Sequence, residues 1–154
     1  MIIGGNMSGL ISKETEGNIA ITPAFAKWLL YNLILLKDMV DMLEPRSTAA
    51  TQEAIREKYF TGSSSVEKTA IKKASVSRVI DLVERAIANM SPMQHRVYRL
   101  RFRSRYSYKD IMRRASVSES TLTRRLEEIV SLVVVYVGLA DDDDLKEFNR
   151  FFDN

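Results

Sequence analysis

Between Ser107 and Val130 the sequence SYKDIMRRASVSESTLTRRLEEIV carries two helix-start signals so close together that only about two turns of helix fit between them. Ser107 is placed to cap the first helix, with Asp110 three residues on, and Ile111 and Ala115 share one face. Ser116-Val117-Ser118 then breaks the pattern. Ser118 can accept a hydrogen bond from the amide of Ser120 or Thr121, so a second helix is expected to start there. Along it Leu122, Leu126, Ile129 and Val133 keep helical spacing, and Val117 can pack beneath them.

Two short helices across a tight turn are the layout of a helix-turn-helix, and the polar side of the second helix suits a nucleic-acid partner. Glu119, Ser120, Thr121, Thr123, Arg124 and Arg125 are the candidate base-reading residues: Arg pairs bidentately with guanine in the major groove, and Ser or Thr meets several base edges. Ser118 marks a helix N-terminus, which favours phosphate. Lys109, Arg113, Arg114, Arg99 and Arg103 are the phosphate candidates by charge, and Tyr108 by its phenol, although half-buried tyrosines at element junctions are common. Any surface helix shows a charged outer side. The wider charge distribution separates the two readings: from Ser91 to Arg125 ten Lys and Arg stand against Asp110 and Glu119, a net +8, in a chain whose formal net charge is +3. The remainder therefore carries −5, and a basic footprint so focused points to a polyanion.

At 154 residues and 45% hydrophobic, the chain has room for one modest core with an appended helical arm, not for a second enzyme domain. It has no Cys, which excludes disulfides, thiolate metal sites and thiol nucleophiles. The most apolar stretch, Trp28 to Leu36, is broken by Asn32 and flanked by Lys27, Lys37 and Asp38, short of the roughly 20 apolar residues that span a bilayer. No membrane association is expected, and no basic start precedes an apolar run in the manner of a secretory signal.

Taken in order, residues 1–21 read as a flexible arm. Thr22-Pro23 begins a helix to about Leu43, the core of an N-terminal helical and oligomerisation region over 22–60, with a further short helix from Ala50 to Tyr59. Phe25, Leu29, Leu33, Leu36, Val40 and Leu43 form one stripe of the long helix; Trp28, Leu35, Met39 and Met42 form another. The second stripe calls for a cover, either this chain's own core or the same helix of a second copy. A homodimer or higher homo-oligomer is expected through Trp28, Leu35, Met39 and Met42, as suits a reader of two half-sites. Residues 61–65 read as a linker, 66–140 as the DNA-binding domain and 141–154 as an acidic, Phe-rich tail. In that domain a helix over Val66 to Met90 precedes one opened by Ser91-Pro92, and the second reading helix stops at Gly138. Asp141 to Asp144 favour a helix start through its dipole; an acidic tail beside a basic reader is also a candidate competitor of DNA.

The stretch SPMQHRVYRLRFRSRYSYKDIMRRASVSESTLTRRLEEI resembles region four of bacterial sigma factors. The order of elements, with VVVYVGL following, is similar to phage late-gene transcription regulators of the ArpU and RinA type, over roughly Ser91 to Leu139. The resemblance implies an all-α fold, a long N-terminal helix plus a sigma-like C-terminal helix-turn-helix, that binds double-stranded DNA near promoters in the bacterial cytoplasm and activates late viral genes. By position it places Ser118, Glu119, Ser120, Thr121, Thr123, Arg124 and Arg125 on the recognition helix. Two residues depart from it: Met112 stands where many such motifs carry Ala, and Ser116 where many carry Gly.

Two other functions fit the same layout, a packaging adaptor resembling a small terminase subunit and a sigma-like factor that binds RNA polymerase. An enzyme fits poorly. His95 has no metal-ligand spacing around it, Glu127 and Glu128 point to different faces of a helix, and no phosphate-cradling Gly loop is present, so neither catalytic residues, metal nor cofactor is expected.

Overall fold

The computed structural model describes residues 11–13, 19–43 and 63–152, and it is nearly all helical. A small antiparallel hairpin, β1 (Ile11–Lys13) with β2 (Ile19–Ile21), leads into α1 (Pro23–Leu43). Then follow α2 (Ser63–Ala88), α3 (Pro92–Tyr98) continued by a π-helical turn (Arg99–Arg103), α4 (Tyr108–Ala115), α5 (Glu119–Val137) and α6 (Asp142–Phe152). The hairpin corrects the reading of the whole of 1–21 as a loose arm: Ile11 pairs with Ile21 and Lys13 with Ile19, a register that the polar intervening sequence did not advertise. The rest of that arm and the expected helix at 50–59 lie outside the described residues.

α1 starts as its Thr-Pro pair dictates. Thr22 Oγ1 accepts from the Phe25 amide at 3.1 Å, and Pro23 occupies a position whose amide would have no helical partner. Phe25, Ala26, Leu29, Leu30, Leu33 and Leu36 are buried against α2 and α5. Asn32 is buried among them and donates to the Trp28 carbonyl at 2.8 Å, so its amide N–H leaves the apolar run unbroken. α2 presents Val76, Val79, Ile80, Leu82, Val83 and Ala86 to the same core, and Leu122, Leu126, Ile129, Val130, Val133 and Val137 of α5 complete it. The helix expected from Val66 begins at Ser63, so 63–65 are helix and not linker.

The C-terminal segment is part of this core. α6 buries Leu145 and Phe148 and packs chiefly on α2, where Ser75 Oγ donates to Asp144 Oδ1 at 3.2 Å. Phe148 meets Phe25 edge-on at 5.7 Å and Trp28 at 6.2 Å between ring centroids, while Phe152 lies 5.3 Å from Trp28. Trp28, expected to face a second copy, is therefore covered by the chain's own last helix. Aromatic residues more than a hundred positions away in sequence supply that cover. Among the described residues, no helix is long and apolar enough to cross a membrane.

Candidate nucleic-acid interface

The two start signals at Ser107 and Ser118 both take effect. Ser107, extended at φ −64°, ψ 161°, accepts from the Asp110 amide at 3.2 Å and opens α4. α4 ends at Ser116, whose backbone is left-handed at φ 54°, ψ 49°; the Val117 amide then donates back to the Met112 carbonyl at 3.0 Å. Ser118, again extended, caps α5 by accepting from the Thr121 amide at 3.2 Å. Its hydroxyl also lies 3.2 Å from Ser120 Oγ and 3.0 Å from Thr121 Oγ1, which gathers three hydroxyls at the start of α5. A three-residue turn with Val117 packed inward thus sets the crossing of α4 and α5.

α3 holds that pair in place. Gln94 completes a capping box with Ser91, accepting from the Ser91 amide at 2.9 Å, and with its other end donates to Glu128 Oε2 at 2.9 Å. Glu128 in turn receives Arg125 Nη1 at 2.8 Å and 3.0 Å. The Gln94 hydrogen bond, and then Arg125, hold the Glu128 carboxyl below the usual carboxylate range. Arg96 Nη2 donates to the Arg114 carbonyl at 2.7 Å, satisfying an acceptor that the end of α4 leaves open. The π-helical turn then swings the chain from α3 into α4: the Ser104 amide reaches back to the Arg99 carbonyl at 2.9 Å, Arg105 takes a left-handed φ of 57°, and Arg101 donates to the Tyr106 carbonyl at 3.0 Å.

The candidate base-reading residues do not all face one way. Ser120, Arg124, Glu127 and Ser131 recur at helical spacing and are exposed, with Thr123 exposed beside them and Glu119 at the mouth of the turn. Thr121 is half-buried. Arg125 lies about 100° around the helix from Arg124, has 32% of its side chain exposed and is held by Glu128. The adjacent arginines therefore part company: Arg124 projects outward, and Arg125 lies along α5 on Glu128, the residue that Gln94 ties to α3. The i, i+3 spacing of Arg125 and Glu128 was a readable sign of this pairing. Glu127, weighed in the sequence only as half of an adjacent acid pair, shares the outward face with Arg124.

Among the phosphate candidates, Arg99, Arg103, Lys109, Arg113 and Arg114 are all exposed, as is Ser118. Arg113 pairs with Asp110 at 3.2 Å while 75% exposed, a contact of little strength. Arg114 lies over the Tyr106 ring at 4.2 Å, and Arg101 over the 43%-exposed Tyr108 at 4.7 Å. Between Tyr108, Thr123 and Glu127 on one side and Lys27 and Tyr31 of α1 on the other lies an open groove of about 360 Å³. Among the described residues no cluster of His, Asp and Glu stands where it could hold a metal ion. Comparison with family models, with curated proteins and with solved structures finds no match.

Proposed function

We propose that this chain is a sequence-specific DNA-binding transcription regulator that reads double-stranded DNA with the exposed face of α5. One observation carries the reading: a hydroxyl-capped helix whose outward face, Ser120, Arg124 and Glu127, rises from the segment holding ten of the chain's 23 Lys and Arg residues. In a major groove Arg124 pairs with guanine O6 and N7, Ser120 and Thr123 meet adjacent base edges, and Glu127 accepts from a cytosine amine. Ser118, Lys109, Arg99, Arg113 and Arg114 sit where they would hold phosphates on either side, which fixes register without reading sequence. Arg125 contributes by holding Glu128, the residue of α5 that Gln94 of α3 grips. Control of promoters, in the manner of the phage late-gene regulators that 91–139 resembles, is the setting such a reader fits. Selection of bound duplexes from a random pool tests the proposal: one short enriched motif is the expected result, and retention of DNA without any enriched motif would refute it.

A further inference from the structure

α1 turns a second apolar stripe away from the core. Ile34, Leu35, Asp38 and Met42 recur at helical spacing on its outer side, with Ile34 52% and Met42 83% exposed, and next to them Tyr31 is half-buried on Phe102 and under the Arg105 guanidinium. Contiguous apolar exposure of this kind on a small protein marks a binding face. Along the stripe runs a groove of about 390 Å³ between α1 and the π-helical turn, with Ile34 and Leu35 in its wall beside Leu33, Tyr98 and Phe102, and with Arg103 and Arg105 both lining it.

An apolar ridge with an acid close by would fill that groove and meet the Arg103 guanidinium. α1 itself carries that pattern: Ile34 and Leu35 form the ridge, and Asp38 follows Ile34 by one turn. Among the described residues neither Asp38 nor Arg103 has an ion-pair partner. We infer that the occupant is a second copy of this chain, the two α1 helices crossing about a two-fold axis so that each Ile34–Leu35 ridge enters the other's groove and each Asp38 meets the other's Arg103. A two-fold interface requires one patch to be complementary to itself, and this patch holds ridge, groove, acid and base together. Arg103 then belongs to the subunit interface and not to the phosphate contacts. The seam uses Leu35 and Met42, as the sequence led one to expect, but runs through Ile34 and Tyr31 in place of Trp28 and Met39. The interface stands whether or not α5 reads DNA.

Sedimentation velocity of the full-length chain at micromolar concentration tests it. A dimer is expected. Asp38→Arg alone and Arg103→Asp alone should each raise the dimer dissociation constant more than about tenfold by setting like charges together, and the double variant should regain the dimer. Ile34→Ser with Met42→Ser, both at exposed positions, should give a folded monomer. A monomeric wild type overturns the inference, as does a dimer unmoved by either single reversal. Restoration of thermal stability by the double variant without any change in mass would also overturn it, since it would place the pair within one chain.

Discussion

Ser116 holds its left-handed backbone without the freedom of glycine, at a cost of about 1–2 kcal/mol. Ser116→Gly relieves that cost and gives back part of it through a more flexible unfolded chain. A net gain of roughly 0.5 kcal/mol in urea unfolding is expected, with DNA binding unchanged, whereas a β-branched residue there should be markedly destabilising. The neighbouring arginines on α5 should separate in the same way. Arg124→Ala should cost about 1–3 kcal/mol of base discrimination and nothing measurable in stability. Arg125→Ala, which breaks a pair one-third exposed, should lower stability by less than about 1 kcal/mol. Glu128 adds a pH dependence. Its carboxyl titrates below its ordinary range in the folded chain, so its contribution is complete above the unfolded value and is lost as pH falls through the folded one. Thermal unfolding between neutral and acid pH should show that loss, and Glu128→Gln should make the acid limb shallower.

At the level of elements, α6 is bound into the core through Phe148, which is fully buried between Phe25, Trp28 and Phe152. Phe148→Ala should destabilise the fold by about 3–5 kcal/mol, read as a shift in the urea midpoint at unchanged slope. Asp144 is tied to Ser75 on α2, while Asp141 and Asp143 beside it stay exposed. What the sequence made legible was local. The caps at Thr22, Ser91, Ser107 and Ser118 depend on residues three or four positions apart, and each is found where its pattern places it. What it concealed was either distant or irregular. Trp28 finds its cover more than a hundred residues on, Gln94 and Glu128 are linked across two helices, and the π-helical turn interrupts the run RLRFR, whose alternating arginines carry no period of their own. Serines that suggest a linker at 63–65 serve equally well as a first helical turn.

For the whole molecule, charge is divided: a net +8 lies between Ser91 and Arg125, while the remainder, α6 included, carries −5. For the proposed DNA reader, such a division would orient the chain toward a duplex with its basic side first. With four phosphates neutralised by Lys109, Arg99, Arg113 and Arg114, the logarithm of the binding constant should fall with that of salt at a slope near −3.6, roughly 150-fold between about 50 and 200 mM. A slope near zero would mean that the basic segment does not meet the backbone. That dependence alone would suit any basic protein, so the claim that α5 reads bases rests on discrimination. The most direct measurement compares the affinity for the selected motif with that for a scrambled duplex at one salt concentration, for the wild type and for Arg124→Ala. Base reading by Arg124 requires the ratio of the two affinities to fall by about fivefold or more in the variant while affinity for the scrambled duplex barely changes; a ratio that survives the substitution would rule it out.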